Sequence, residues 1–151
     1  MAAAQGTATD RPAVNWALLV VRIVVGIIFM AHGAQKLFGA FGGFGVAGTV
    51  KAMGALHLGP LVYLVIIDEF FGGLGLFLGV LTRFSAFWLI VDMLGAILLV
   101  HGKNGFFLGG PKPGFEYPFA LIGMMSVTLL AGPGKYALGR LVKILRHPVL
   151  E

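Results

Sequence analysis

Residues 61–81 read LVYLVIIDEFFGGLGLFLGVL, an apolar run in which Asp68 and Glu69 are the only charged residues. A helix needs roughly 20 mostly apolar residues to cross the hydrocarbon core of a bilayer, and this run is long enough. Two central carboxylates oppose insertion by about 5 to 7 kcal/mol, whereas the Leu, Ile, Val and Phe residues of the run favour it by about 6 kcal/mol. The run therefore predicts a transmembrane helix that inserts only if its acids are protonated, paired with a cation or held in a polar cavity.

The composition of the whole chain is also that of a membrane protein. Of 151 residues, 58% are hydrophobic and only 11% are charged, and the mean hydropathy is +0.95. A soluble domain has far fewer apolar and far more charged residues. Apolar runs at about 16–34, 58–81, 84–100 and 117–131 are each predicted to cross the membrane. The predicted fold class is all-α, an integral membrane four-helix bundle with a basic amphipathic C-terminal helix.

The chain divides into three predicted segments. An N-terminal tail covers residues 1–14, the four-helix domain covers 15–131, and a basic tail covers 132–151. In the stretch KYALGRLVKILRH, residues 135–147, the apolar residues follow helical spacing and the basic residues fall on another face. Such a helix is expected to lie on anionic lipid. A solvated helix that merely ends the chain is the alternative.

Phenylalanines and glycines dominate the loop after the first apolar run. The stretch FGAFGGFGVAG has the glycines of a nucleotide-binding loop but no strand before it, so a nucleotide site is not favoured. Phe38, Phe41 and Phe44 are better interpreted as an interfacial segment. A short amphipathic helix through Val46, Val50 and Met53 is predicted to follow them.

The basic residues beside the runs predict the orientation of the chain. Four crossings would place both termini on one side with six basic residues: Arg11, Arg83, Lys135, Arg140, Lys143 and Arg146. The opposite side would have four: Lys36, Lys51, Lys103 and Lys112. Lys and Arg favour the cytoplasmic side, so both termini are predicted to be cytoplasmic.

The absence of cysteine excludes several kinds of redox chemistry. Without a thiol the chain alone cannot carry out thiol–disulfide exchange or hold an iron–sulfur cluster through cysteine. Any redox role must therefore use a bound cofactor or a partner. The charge of +5 is spread beside the apolar runs and over the tail, which is not the footprint of a nucleic-acid-binding protein.

Arg22 is the predicted partner of Glu69. Both residues lie well inside their apolar runs, and Asp92 reaches a similar depth in the third. One cation and up to three acids, including Asp68, could therefore meet inside the bundle. Because adjacent residues on a helix diverge by about 100°, Asp68 and Glu69 cannot both face inward fully. A buried ion pair that only fixes helix register is the structural alternative, but ionisable residues within a membrane indicate a functional site by default.

A second polar group is predicted at the outer ends of the runs. His32 and His101 each end an ascending run, and charged residues follow them in the loops: Lys36, Lys103, Lys112 and Glu116. Two histidines at equal depth could ligate a haem from both faces. Haem is not favoured, because histidines at helix ends are more often solvated or hydrogen-bonded. No metal site is predicted, because neither HxxxH nor ExxH spacing occurs.

Short motifs in a fixed order connect these features: R-x3-G-x2-F-x2-H-G-x2-K from Arg22 to Lys36, E-x2-G from Glu69, then Arg83, NGFF at 104–107 and FEYP at 115–118. In this order and spacing, the chain resembles the DoxX family of small four-helix bacterial membrane proteins over about residues 15–131. The specificity lies in the arrangement, since each motif is short.

The resemblance implies a bundle in the bacterial inner membrane and a link to redox chemistry. Members of the family are often described as oxidoreductases without a defined reaction, and relatives include the membrane subunit of thiosulfate:quinone oxidoreductase. Others are linked to oxidative stress and thiol balance. The charged positions of the pattern fall on Arg22, Glu69, Arg83 and Glu116, with His32 and Lys36 beside them. Asp68 and Asp92 are not assigned to the pattern.

The resulting hypothesis is a membrane subunit of a quinone-linked oxidoreductase or an oxidative-stress-related redox complex. Glu69 and Arg22 are the predicted catalytic residues, with Glu69 exchanging protons and Arg22 or His32 bonding the quinone head. Further substrate-binding residues are predicted to be His32, Lys36, Asp92, Arg83 and Glu116. Electrons would arrive from a peripheral partner protein. Whether the protein forms a homo-oligomer is left open. The alternative is a non-catalytic membrane scaffold or a small-solute transport component.

Overall fold

The computed structural model describes residues 11–141, and all of its regular elements are helical; no strand occurs in this range. Within these residues six α-helices follow one another: α1 (Pro12–Phe38), α2 (Gly45–Met53), α3 (Leu61–Ile67), α4 (Gly73–Leu78), α5 (Thr82–Ala96) and α6 (Glu116–Ala131).

Two of the apolar helices contain a π-helical turn. The turn Asp68–Gly72 joins α3 to α4, so that one continuous helix, here called the second span, covers Leu61–Leu78. A second π turn, Ile97–His101, continues α5 into the third span, Thr82–Asn104. A π turn accommodates one extra residue in the helix and frequently occurs at functional sites.

The predicted bundle of membrane helices is confirmed. Some of its helices are longer, and others shorter, than the apolar runs of the sequence. α1, the second span and the third span are each long and apolar enough to cross a membrane. α6 has 16 residues and is about 24 Å long, less than the roughly 30 Å hydrocarbon core. The fourth crossing therefore stays a prediction, as do the domain boundaries.

Glycines bring α1 into close contact with the second span. A methyl group at Gly26 would lie 2.8 Å from both the carbonyl oxygen of Gly73 and the amide nitrogen of Phe77, so only glycine fits. Gly33 packs equally closely against the backbone of Phe70. Small residues of this kind allow membrane helices to approach each other. These contacts fix the antiparallel register of α1 and the second span.

The bundle has an apolar interior and an apolar exterior. Val25 and Phe29 of α1 pack with Leu76, Leu89 and Met125 in the buried core. Large apolar side chains also cover the outer face, with Leu98 80% and Leu130 76% exposed. This distribution is expected of helices surrounded by lipid, where apolar surface needs no burial.

The Phe-rich stretch that begins at the end of α1 is exposed and leads into the predicted short helix, while its position at the membrane interface stays a prediction. Phe38, Phe41 and Phe44 are all more than 60% exposed, and α2 follows them as the predicted short helix. At the other end of the chain, Leu138–Leu141 forms a 3-10 turn, and the amide of Gly139 donates to the carbonyl oxygen of Gly79. The predicted basic tail helix is therefore not α-helical over its first seven residues, 135–141, and its residues from 142 onward lie outside the described residues, as do residues 1–10 of the predicted N-terminal tail.

Candidate functional site

An ion pair between Lys36 and Glu69 joins α1 to the second span. Lys36 is in the last turn of α1 and Glu69 is in the π turn of the second span, and Lys36 Nζ donates to Glu69 Oε1. The Glu69 side chain is 5% exposed and that of Lys36 26%. Close packing of Gly33 on Phe70 brings the last turn of α1 to the level of the acid.

Asp92 completes a cluster of three charged residues, here called the carboxylate cluster: Lys36, Glu69 and Asp92. The Asp92 carboxyl of α5 lies beside that of Glu69, close enough for a proton on one acid to be shared with the other in a hydrogen bond. Glu69 Oε2 and Asp92 Oδ2 are both buried and have no hydrogen-bond partner among residues 11–141. The cluster therefore has more carboxylate than cation, which suits it to hold a proton.

The two adjacent acids face different surroundings, as predicted. Glu69 is buried against α1 and α5, whereas Asp68 is only partly buried and lines a groove on the outside of the bundle. Asp68 is still near enough to Glu69 and Asp92 for electrostatic repulsion. Which acid faces inward was left open by the sequence, and the structure identifies Glu69.

Tyr117 lies near the cluster, and His32 lies beside Tyr117. Tyr117, at the start of α6, is close enough to Glu69 for an electrostatic interaction. The ring of His32 lies 6.3 Å from that of Tyr117, and His32 Nδ1 is 2.9 Å from the carbonyl oxygen of Ile28. His32 is exposed, so it offers a polar surface at the rim of the cluster.

The prediction that Arg22 pairs with Glu69 is wrong. Arg22 is buried, with 1% of its surface exposed, and it donates to the carbonyl oxygens of Pro133 and Tyr136, the latter at 2.8 Å. Because α1 and the second span are antiparallel, Arg22 lies at the level of Gly79. The 14 residues from Arg22 to Lys36 correspond to about 21 Å of helix. Arg22 thus holds the segment after α6 against the bundle.

The sequence predicts Lys36 in a loop, because the apolar run ends near residue 34. In the structure α1 continues to Phe38, where Gly39 ends it with a left-handed backbone, φ 72°. Lys36 therefore lies on a helix. The available signal was Gly39 as a helix stop, which would have extended α1 by one turn.

Arg83 and Glu116 bond to backbone groups instead of the cluster. Arg83 donates to the carbonyl oxygens of Leu129 at 2.7 Å and Leu130 at 3.0 Å, and so caps the end of α6. Glu116 Oε1 accepts a hydrogen bond from the amide of Leu108 at 2.8 Å and fixes the loop before α6. Of the predicted site residues, the structure brings together Lys36, Glu69 and Asp92, with His32 nearby.

The two histidines of the haem alternative are engaged locally. His101 Nδ1 is 3.0 Å from the carbonyl oxygen of Pro113, just as His32 Nδ1 contacts a carbonyl oxygen of its own helix. Within the described range, no group of three or more His, Cys, Asp or Glu side chains is arranged to hold a metal ion.

These features define a small helical membrane protein with a charged cluster inside its bundle. The chain belongs to the DoxX family, whose profile matches residues 17–102, from α1 to the end of the third span. The match includes all three residues of the carboxylate cluster, whereas the FEYP motif lies beyond it.

Two curated relatives are similar over much of the chain. The protein named "Inner membrane protein YqjF" from Escherichia coli (strain K12) is 32% identical over 126 residues, which is 83% of this chain and 91% of that protein. The protein named "Putative oxidoreductase CatD" from Bacillus subtilis (strain 168) is 32% identical over 89 residues, which is 58% of this chain and 62% of that protein. No solved structure gives a significant match.

Proposed function

We propose that this protein is the membrane subunit of a quinone-linked redox system in the bacterial inner membrane, in which the carboxylate cluster exchanges protons with the quinone. The observation that carries the proposal is the buried Glu69 beside the half-buried Asp92: the two acids share one cation, and a buried oxygen atom of each has no hydrogen-bond partner among the described residues. The names of the two relatives support the location and the redox class.

Stability alone is a poor explanation for such a cluster. Each charged residue near the centre of a membrane helix costs about 2.5 to 3.5 kcal/mol on insertion scales. Replacing a buried ion pair by apolar residues of similar volume is often neutral or stabilising. An additional acid beside an ion pair increases this cost, since Asp92 has no cation of its own among the described residues. A role in proton exchange explains why a second carboxyl group lies beside the ion pair.

The chemistry follows from the groups present. A quinone takes up electrons and protons together when it is reduced to a quinol. A quinol needs two electrons and two protons, and Glu69 and Asp92 can hold one proton at a time: they release it towards an oxygen atom placed beside them and take up the next from water. Lys36 balances one carboxylate, and the second negative charge that appears when the proton leaves favours uptake of the next proton. His32 Nδ1 donates to the carbonyl oxygen of Ile28, so His32 Nε2 can accept a hydrogen bond from a quinol hydroxyl. Arg22 has no such role in this proposal, because its guanidinium already bonds two backbone carbonyls.

Electrons must come from a bound cofactor or a partner protein. Cysteine is absent from the sequence, so neither a dithiol nor a cysteine-bound iron–sulfur cluster can supply them. A peripheral redox protein at the membrane surface is therefore part of the proposal.

Binding of short-chain ubiquinone and menaquinone to the purified protein in lipid nanodiscs tests this function. We expect saturable binding above that of empty nanodiscs, weakened about tenfold or more by Glu69→Gln or Lys36→Met, which corresponds to about 1.4 kcal/mol or more. Glu116→Gln is the matched control, because it removes a carboxylate whose hydrogen bond lies in the loop before α6. This control should bind quinone normally.

The opposite result would favour the alternative function. If the folded wild-type protein binds neither quinone above empty nanodiscs, or if Glu69→Gln binds as tightly as the wild type, the quinone proposal is contradicted. The carboxylate cluster would then be interpreted as part of a non-catalytic scaffold or a small-solute transport component. Solute uptake by proteoliposomes would separate those two functions.

A further inference from the structure

A groove on the outer face of the bundle has a polar residue that the proposed function does not use. It lies where the second span meets the start of α5 and has a volume of about 350 Å³. Its walls are apolar apart from Asp68 and Ser85, and the exposed rings of Phe71 and Phe84 lie along it. This volume falls within the range of about 300 to 1,000 Å³ typical of sites for small molecules.

Asp68 is the only ionisable side chain of this groove, and it has no hydrogen bond or ion pair with any described residue. Lys36, the cation of the carboxylate cluster, is paired with Glu69. Asp68 is the eighth residue of the second span, about 10 Å from its start at Leu61, which places the carboxyl at the depth of the hydrocarbon core. A carboxylate at this depth requires a cation or a proton.

We propose that the groove binds a lipophilic cation, with the positive group against Asp68 and the apolar body along Phe71, Leu74 and Phe84. A carboxylate in surroundings of low dielectric constant attracts a cation strongly. The faces of phenylalanine rings also attract cations and accommodate apolar groups. Charge and surface thus favour the same class of ligand.

Other occupants fit the groove less well. An anion would be repelled by Asp68 and by the neighbouring Glu69 and Asp92. An acyl chain would fill the apolar part but leave the carboxylate unpaired. The amine of a phospholipid headgroup stays at the membrane surface, whereas Asp68 lies within the core. The inference does not depend on quinone chemistry, because Asp68 faces the groove and not the carboxylate cluster.

Equilibrium binding of tetraphenylphosphonium to the full-length protein in nanodiscs tests the proposal, with empty nanodiscs subtracted. This probe has a single positive charge on an apolar body, and triphenylphosphine oxide is a neutral counterpart of similar shape. We expect saturable binding of the cation and much weaker binding of the neutral compound. Asp68→Asn should weaken cation binding about tenfold or more, equivalent to about 1.4 kcal/mol.

Two further variants make the test specific. Leu74→Trp fills the groove while keeping the carboxylate, so it should weaken binding of the cation even if Asp68→Asn fails to fold. Glu116→Gln removes a carboxylate outside the groove and should bind the cation as the wild type does. Equal binding of the charged and neutral compounds would overturn the proposal, as would unchanged cation binding by Asp68→Asn and Leu74→Trp.

Discussion

Glu69 is buried as a charged residue because Lys36 neutralises it. Removing the cation leaves a carboxylate without compensation in a site that is 5% exposed, and breaking a buried pair in this way costs about 3 to 5 kcal/mol. We therefore expect Lys36→Met to lower the free energy of unfolding by about 3 kcal/mol, near the lower end of that range because Lys36 is 26% exposed. Unfolding in mixed micelles, followed by circular dichroism, measures this loss.

The double variant Lys36→Met/Glu69→Gln is the control for this prediction. Once the acid is neutral it needs no cation, so most of the lost stability should return. If the double variant is as unstable as the sum of the two single variants, Lys36 and Glu69 do not interact as described.

At the scale of single residues, the sequence predicts the acids inside the membrane helices better than it predicts the cation that pairs with Glu69. A carboxylate inside an apolar run is costly wherever it lies, so Glu69, Asp68 and Asp92 could be identified before the fold was known. The partner depends on helix register, which is set by contacts between helices. Arg22 has a suitable charge but lies too near the start of α1 to reach Glu69. The sequence predicts Lys36 about one turn beyond the end of this helix, whereas α1 includes it.

At the scale of the elements, the contact between α1 and the second span determines where the cluster forms. We expect Gly26→Ala to destabilise the bundle by about 1 to 3 kcal/mol, because an added methyl group overlaps the backbone at Gly73 and Phe77 and forces the helices apart. The same unfolding assay measures the change.

Gly123→Ala is the matched control in α6. A methyl group there meets no described atom within 4 Å, so this variant should be at least as stable as the wild type. Equal effects of the two substitutions would contradict a role of Gly26 in close helix packing.

The apolar runs predicted the existence and order of these elements but not their irregular parts. A π turn has no simple sequence pattern, and neither Asp68–Gly72 nor Ile97–His101 was expected. Both turns lie within continuous apolar helices, where hydropathy is the same for α and π geometry. The register of α1 could be approached from the sequence only through its glycines, which indicate close contact without identifying the opposite residue.

At the scale of the whole molecule, the positions of basic residues still predict cytoplasmic termini. The absence of cysteine allows a direct test, since a single introduced cysteine reacts alone. We expect Lys112→Cys to react with a membrane-impermeant maleimide applied to the outside of intact cells with a permeabilised outer envelope. Lys135→Cys should react only after the inner membrane is opened.

Both positions are exposed in the structure, so a difference in labelling reports the side of the membrane and not burial. Reaction of Lys135→Cys from the outside, with protection of Lys112→Cys, would show the inverted orientation. Reaction of both positions from the outside would contradict four crossings, since that number places them on opposite sides.

The central claim is that the acids of the carboxylate cluster exchange a proton when quinone is reduced. Infrared difference spectroscopy during electrochemical reduction of quinone, bound to the protein in nanodiscs, detects the carbonyl band of a protonated carboxyl group. We predict a change in this band in the wild type and in Glu116→Gln, and its loss or displacement in Glu69→Gln and Asp92→Asn, because a proton shared by two acids belongs to the pair. A band that is absent from the wild type, or unchanged in both cluster variants, would contradict the account.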